Sequence, residues 1–209
     1  MGVVVSGSLE SFTGVWLGFG SALAVWAWHE LAFLQGLVTG PWREACPPDA
    51  RGWRRFRFAT LAVIHHEVAL TVTLVVLVAL TWHAVNQVAT VTFAVLWVMR
   101  LSAKLNLFFG VRNLSEDFIP EHLRYLKTFF RRSAASPLLL VSVVVGVVVT
   151  CWFASAALDA SQTDVSRLSK TVCVTLFALA VLEHVFLALP LGDGALWRWV
   201  IRGPGARSS

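Results

Sequence analysis

Histidine and glutamate stand side by side at three places inside long apolar stretches of the sequence. They are His29, Glu30, His65, His66, Glu67, Glu183 and His184. Imidazole and carboxylate groups are the ligands that iron, zinc and manganese accept in proteins. A titratable side chain within a bilayer is costly, so each of these clusters is a functional-site hypothesis.

Three further polar residues in another apolar stretch could complete the same site. They are Arg100, Lys104 and Asn106. Arg100 and Lys104 are four residues apart, so a helix presents both on one side. Together with the histidines and glutamates, they make up the candidate cofactor-binding set.

A metal centre is the first interpretation of this set. Dinuclear sites in helical bundles place their ligands at Glu-x-x-His spacing, on one helix face. Here the ligating residues are adjacent, and neighbours on a helix point about 100° apart. One member of each pair could then ligate a transition metal, while the other orients a neighbouring ligating side chain by a hydrogen bond. In that case all seven histidines and glutamates are candidate metal ligands, and the two cations bind a carboxylate of the substrate.

Two other interpretations stay open beside the metal centre. An intramembrane histidine can ligate a haem iron or, by the same imidazole chemistry, the magnesium of a chlorophyll. The 10 tryptophans and 14 phenylalanines offer aromatic walls for such a pigment. Alternatively, the two cations pair with Glu30, Glu67 and Glu183 and simply clamp the helices together.

The elements that position these residues are membrane helices. The chain is 57% hydrophobic and 14% charged, with a mean hydropathy of +0.71, whereas soluble domains carry about a quarter charged residues. Five apolar stretches are long enough to cross a bilayer as helices. They cover residues 12–39, 59–82, 85–109, 137–158 and 168–191. We predict an all-α fold, a polytopic bundle of five transmembrane spans in a single domain, 1–209.

Basic residues define the predicted orientation of the spans. Thirteen of the 17 lysines and arginines lie between spans one and two, between spans three and four, or after span five, and only Arg167 and Lys170 lie on the other side. The positive-inside rule then predicts that the N-terminus lies outside and the C-terminus in the cytoplasm. Topology accounts for the net charge of +5, so we do not expect nucleic-acid binding.

This topology places the titratable residues of four spans at a common depth. In spans one, two, three and five, the histidines, glutamates and cations all fall in the cytoplasmic half. Unpaired charge in lipid is expensive, so these groups are expected to meet. The sequence predicts a polar pocket enclosed by those four spans and opening toward the cytoplasm.

The polar segment 110–136 predicts a cytoplasmic amphipathic helix beside the membrane. Pro120 suits a first helical turn, and apolar residues recur after it at helical spacing. Such a helix either anchors the connection at the interface or docks another protein. The candidate partner-binding residues are Arg112, Asn113, Phe118, His122, Tyr125 and Phe129.

One long motif in this segment carries a family resemblance. The stretch KLNLFFGVRNLSEDFIPEHLRYLKTFF, together with WHELAFLQGLVTGP and HHE, resembles the PuhE-type family of photosynthetic complex assembly proteins. The resemblance implies a membrane factor of anoxygenic phototrophs that supports bacteriochlorophyll supply or the assembly of reaction-centre and light-harvesting complexes.

The same resemblance sets the expected ligand and partners. The ligand would be a bacteriochlorophyll or a tetrapyrrole precursor. The partners would be membrane lipid and other photosynthetic membrane proteins or pigment-synthesis enzymes. The alternative is a His/Glu metal-dependent membrane enzyme of bacteriochlorophyll biosynthesis, which would hold a transition metal. The resemblance brings no catalytic residues with it.

Overall fold

Long apolar stretches form the predicted helices in the computed structural model, which describes residues 1–114, 119–133 and 136–189. The elements are α1 (Gly2–Gly7), α2 (Phe12–Leu34), α3 (Gly52–Thr81), α4 (Val88–Phe109), a 3₁₀ helix (Glu121–Phe129), α5 (Pro137–Leu158) and α6 (Asp164–Ala188). The five helices α2 to α6 are each long and apolar enough to cross a membrane. The all-α, five-span prediction is therefore confirmed.

Side-chain caps fix where three of the spans begin. The hydroxyl groups of Ser11, Ser136 and Thr163 accept hydrogen bonds from backbone N–H groups in the first turns of α2, α5 and α6. Each cap satisfies an N–H group that has no partner within its own helix. Pro137 follows its cap at the first helical position, where a missing N–H costs nothing.

The largest departures from the predicted span boundaries are at the end of span one and at the start of span two. α2 stops at Leu34, and the chain turns through Gly36 at a φ of 75°, a conformation that favours glycine. α3 begins at Gly52 and runs for 30 residues. At 1.5 Å per residue that is about 45 Å, longer than the hydrocarbon core, so α3 extends beyond the bilayer.

The segment between α2 and α3 folds back along α3. The backbone N–H of Trp42 donates to the carbonyl of Leu61, and that of His66 donates to the carbonyl of Thr39, at 3.3 and 3.1 Å. Gly40 lies against the same stretch, where a Cβ atom would overlap the Leu61 carbonyl oxygen. Non-helical backbone at membrane depth is tolerated where protein covers it, and Thr39 and Gly40 are both buried.

α4 is the central helix of the bundle. It packs against α2, α3, α5 and α6. In its apolar membrane-spanning stretch 44% of the residues are buried, against 11% in that of α5. α5 lies at the periphery and packs mainly on α6, where Gly146 approaches the side chain of Val181. At one end, α1 is tied to the start of α4 because the Asn86 N–H donates to the Gly7 carbonyl at 3.2 Å.

The other end of the bundle is closed by residues 119–130, which we call the strap. We call this end, where α2, α4 and α6 finish, the basic end. The strap contains the 3₁₀ helix, which has three residues per turn and so aligns every third side chain. Leu123, Leu126 and Phe129 are all buried and pack with Phe33 and Ala62.

The strap corrects one detail of the predicted amphipathic helix. An α-helical repeat after Pro120 predicts that His122 and Tyr125 lie on the buried stripe. The 3₁₀ repeat selects Leu123 instead, leaves His122 exposed, and keeps Tyr125 half-buried at the edge of the stripe. The segment is amphipathic, as predicted, with a different face turned inward.

Arg55 fastens the strap to the bundle. Its guanidinium donates to the carbonyl of Phe108 at 3.3 Å and to the carbonyl of Phe129 at 2.6 Å. It also lies 4.2 Å from the centre of the Phe108 ring. These carbonyls lie at the C-terminal ends of α4 and of the 3₁₀ helix, where a cation is electrostatically favoured.

Candidate functional site

A cavity of about 730 Å³ lies at the basic end, among α3, α4, the end of α6 and the strap. Most of its lining is apolar, with Phe33, Trp97, Phe108 and Phe186 among the aromatic side chains. The charged side chains in the lining are Glu67, Arg100, Lys104 and Glu183. All four belong to the candidate cofactor-binding set, so the structure brings part of that set to one cavity.

The ion pair between Lys104 and Glu67 joins α4 to α3 on the cavity wall. Nζ of Lys104 lies 2.6 Å from Oε1 of Glu67, and the two side chains are only 21% and 16% exposed. Nζ also lies 5.3 Å from the ring centre of Phe33. An aromatic face attracts a cation electrostatically, so α2 contributes to holding the lysine as well.

A second polar group surrounds Glu30, behind the cavity. Its Oε2 accepts a hydrogen bond from Arg100 at 3.3 Å, and its Oε1 lies 3.6 Å from Nε2 of His66. The His66 distance exceeds hydrogen-bond range. His66 is fully buried, and its ring centroid lies 4.6 Å from that of Phe33. This group ties α2 to both α3 and α4.

His29 and His65 point away from these carboxylates. Nε2 of His29 lies 2.9 Å from the hydroxyl of Thr73 on α3, and its ring meets the edge of Phe93. His65 is exposed on α3, and the described part of the chain offers it no hydrogen bond or ion pair. Adjacent residues on a helix diverge by about 100°, and the structure follows that expectation here.

His184 and Asn106 belong to a third polar group, between α4, α5 and α6. Nδ1 of His184 donates to the Ala180 carbonyl at 2.8 Å, since that oxygen can only accept, and Nε2 lies 2.9 Å from the Ser102 hydroxyl. Asn106 donates to the hydroxyl of Ser142 on α5 at 3.1 Å. Hydrogen bonds of this kind hold transmembrane helices together.

Sequence reasoning missed the two serines of that group. Ser102 lies four residues before Asn106, which is the spacing of side chains stacked on one helix face. That spacing could have identified Ser102 as a member of the group. The sequence does not indicate that Ser142 contacts Ser102, since this contact depends on how α5 lies against α4.

The candidate metal ligands are dispersed. Within residues 1–114, 119–133 and 136–189, no three His, Cys, Asp or Glu side chains come together in a way that could hold a metal ion. Glu30 and Glu67 pair with cations, while His29 and His184 bond to hydroxyl groups. The geometry therefore gives the metal-centre interpretation no support.

Glu183 is the exception among the three carboxylates of the candidate site. It lines the cavity and is exposed, and it makes no hydrogen bond or ion pair within the described residues. Its neighbour Phe186 is 39% exposed, so the α6 side of the cavity is open to the surroundings.

The candidate partner-binding residues mostly make contacts within the chain. Phe129 is 4% exposed, and Tyr125 packs at the edge of the same cluster. His122 has its Nε2 2.9 Å from the Leu34 carbonyl. The backbone N–H groups of Arg112 and Asn113 both donate to the Leu187 carbonyl at 3.2 Å, at the end of α6.

Phe118 lies outside the residues that the structure describes. Docking of a partner by this segment stays a prediction.

The fold and the site define a class, a five-span helical membrane protein with ion-paired helices around an apolar cavity. Residues 1–207 match the family described as a protein of unknown function (DUF3623), and the chain belongs to that family. It is 42% identical over 193 residues to a protein from Rhodobacter capsulatus, covering 92% of this chain and 70% of the relative. That relative is described as an uncharacterized 30.4 kDa protein in the puhA 5′ region. No solved structure matches the chain.

Proposed function

We propose that this protein is a membrane assembly or biogenesis factor for bacterial photosynthetic complexes and that it holds a bacteriochlorophyll or a tetrapyrrole precursor in the cavity. The observation that carries this proposal is the cavity of about 730 Å³. Ligand pockets of roughly 300–1,000 Å³ with apolar walls and a few polar groups suit small molecules and cofactors. A pigment with a flat macrocycle and a polar edge has that character.

The lining suits a tetrapyrrole at both its apolar and its polar parts. Aromatic and aliphatic side chains from α3, α4 and the strap would cover the macrocycle. Arg100 and Lys104 lie on the same wall, four residues apart, and could donate to a keto or carboxylate oxygen on the pigment's edge. Both cations already hold a carboxylate, so the wall would present hydrogen-bond donors with little net charge.

Gene context supports the photosynthetic part of the proposal. The relative from Rhodobacter capsulatus lies in the puhA 5′ region, which is a photosynthesis gene region, and the sequence resembles assembly proteins from such regions. A protein that holds pigment in the bilayer beside growing complexes would serve their assembly. We propose photosynthetic membrane proteins or pigment-synthesis enzymes as its partners.

The proposed location is the bacterial inner membrane, with the basic end toward the cytoplasm. Arg43, Arg51, Arg54 and Arg57 are exposed at this end, between α2 and α3 and on the first turns of α3. Basic residues are retained on the cytoplasmic side during insertion. The cavity would then lie in the leaflet facing the cytoplasm.

The test is a spectrum of the protein made in a host that synthesises bacteriochlorophyll. The protein is purified in mild detergent, and the absorption spectrum and metal content are recorded on the same sample. We expect tetrapyrrole bands in the wild type. Ala59 lines the cavity on α3, so Ala59→Phe should fill it and lose the bands.

A matched control separates loss of the cavity from damage to the helix. Ala79 is exposed on the same helix and does not line the cavity, so Ala79→Phe should retain the bands. A folded, colourless wild type that takes up no added bacteriochlorophyll would overturn the proposal. A colourless wild type with one equivalent of transition metal would favour the metal-dependent enzyme instead.

A further inference from the structure

Glu183 is the glutamate of the candidate site to which the described residues offer no cation. Glu30 is held by Arg100 and Glu67 by Lys104. These are the two cations of α4, and both are already engaged. Glu183 has no hydrogen-bond or ion-pair partner in the described part of the chain, although it lies within the apolar span α6. An uncompensated carboxylate in a membrane span is costly and marks a functional position.

Only a side chain that lines the cavity can reach the central metal of a pigment bound there. Of the glutamates and histidines within the described spans, Glu67 and Glu183 line it. Glu67 already accepts from Lys104 at 2.6 Å. Glu183 is therefore the ligating side chain that faces the cavity with its oxygens available.

The neighbouring histidine is not an alternative ligand. Both ring nitrogens of His184 are hydrogen-bonded, one to the Ala180 carbonyl and the other to Ser102. His184 is also fully buried between helices and does not line the cavity. The Glu183 and His184 side chains project about 100° apart. His184 therefore packs between the helices while Glu183 lines the cavity.

We infer that Glu183 would hold the magnesium ion at the centre of the bound tetrapyrrole through a carboxylate oxygen. This inference rests on the proposed function and adds the ligand's chemical class, a magnesium-bearing rather than a metal-free pigment. Magnesium is a hard cation that prefers oxygen ligands, carboxylates among them. The macrocycle already balances the metal's charge, so what the magnesium would offer Glu183 is an open coordination position that a carboxylate oxygen can fill.

The experiment compares two pigments that differ only in their centre. Bacteriochlorophyll a and its metal-free form, bacteriopheophytin a, are titrated into the purified full chain in detergent. Binding is followed by quenching of tryptophan fluorescence and by the pigment's absorption bands. The variants are Glu183→Leu and Glu183→His, with Glu10→Leu as a matched control at an exposed glutamate outside the cavity lining.

The wild type should bind the magnesium pigment more tightly than the metal-free pigment. Residues that merely support a metal ligand are worth about 10–100-fold in affinity, so Glu183→Leu should weaken the magnesium pigment at least about tenfold. The same variant should bind the metal-free pigment like the wild type. Glu183→His should restore binding with a shifted absorption band, and Glu10→Leu should change neither affinity.

Three results would overturn the inference. Equal affinity of the wild type for the two pigments would show that the metal is not recognised. An unchanged affinity of Glu183→Leu for the magnesium pigment would show that Glu183 is not its ligand. Both results leave the proposed pigment-binding function standing. If the folded wild type binds neither pigment, the proposed function fails and the inference fails with it.

Discussion

Nζ of Lys104 lies 2.6 Å from Oε1 of Glu67, and this ion pair joins the central helix α4 to α3 on the wall of the cavity. Both side chains are largely withdrawn from the surface. Removing two charges from water is expensive, and their attraction roughly repays that cost only while both are present. The contribution of the pair to stability should therefore be seen most clearly when one partner is removed.

Loss of one partner should cost more stability than loss of both. Glu67→Gln leaves Lys104 charged and unpaired, so we expect the free energy of unfolding to fall by about 3 kcal/mol. Adding Lys104→Met removes that charge and should recover most of the loss. Thermal and denaturant unfolding in detergent measure the cycle, with the exposed pair Glu121–Arg124 as a control. Strictly additive losses in the double variant would contradict this account.

A lysine at position 55 should not hold the strap as Arg55 does. Its planar guanidinium reaches the carbonyls of Phe108 and Phe129 at once and covers the Phe108 ring. An ammonium group cannot reproduce that fork. Arg55→Lys should release the strap, seen as faster amide hydrogen exchange over Leu123–Phe129 and a loss of about 1–3 kcal/mol in the free energy of unfolding.

The adjacent arginine supplies the control for that change. Arg54 pairs with Asp49 at the surface, where the side chains are 59% and 64% exposed. Exposed pairs contribute about 0–1 kcal/mol, so Arg54→Lys should leave strap exchange unchanged. Equal effects of the two substitutions would show that the strap is held by its apolar stripe alone.

The spans were predictable because length and apolarity decide what crosses a bilayer. The bounds of α5 were predicted correctly, since Ser136 caps it and Pro137 opens it. The end of α2 was not predictable in this way, because the apolar residues after Leu34 continue the pattern while the backbone bonds to α3 instead. That choice depends on tertiary contacts that a local pattern does not contain.

The candidate site was predictable in depth and not in detail. Common depth indicated that the two cations could face the carboxylates, but it did not indicate the partners, which are Glu30 for Arg100 and Glu67 for Lys104. Nor could it indicate that Glu183 would meet no cation among the described residues, because the rotation of α6 decides which way that side chain points. The apolar lining was also hidden, since much of it comes from the strap.

Labelling of single cysteines should establish the orientation of the bundle. In a cysteine-free variant, Ser161→Cys places a thiol in the exposed turn between α5 and α6, on the side predicted to be periplasmic. Glu44→Cys places one in the exposed α2–α3 connection at the basic end. A membrane-impermeant maleimide should label the first in intact cells and the second only after permeabilisation. The reverse pattern would place the basic end, and with it the cavity, toward the periplasm.

Gly40 should resist substitution although its chain segment is irregular. A Cβ atom there would overlap the Leu61 carbonyl oxygen and crowd Ala62, and the α3 backbone cannot yield as a flexible side chain would. Gly40→Ala should lower the free energy of unfolding by about 1–3 kcal/mol. It should also speed amide exchange at Trp42, whose N–H donates to Leu61.

The matched substitution is Gly20→Ala, within α2. A Cβ atom at Gly20 would meet nothing within 4 Å, and alanine is the better helix former by about 1 kcal/mol in soluble helices. Gly20→Ala should therefore preserve or raise stability while leaving the exchange at Trp42 unchanged. If Gly40→Ala is as harmless as Gly20→Ala, then the folded-back segment is not seated on α3.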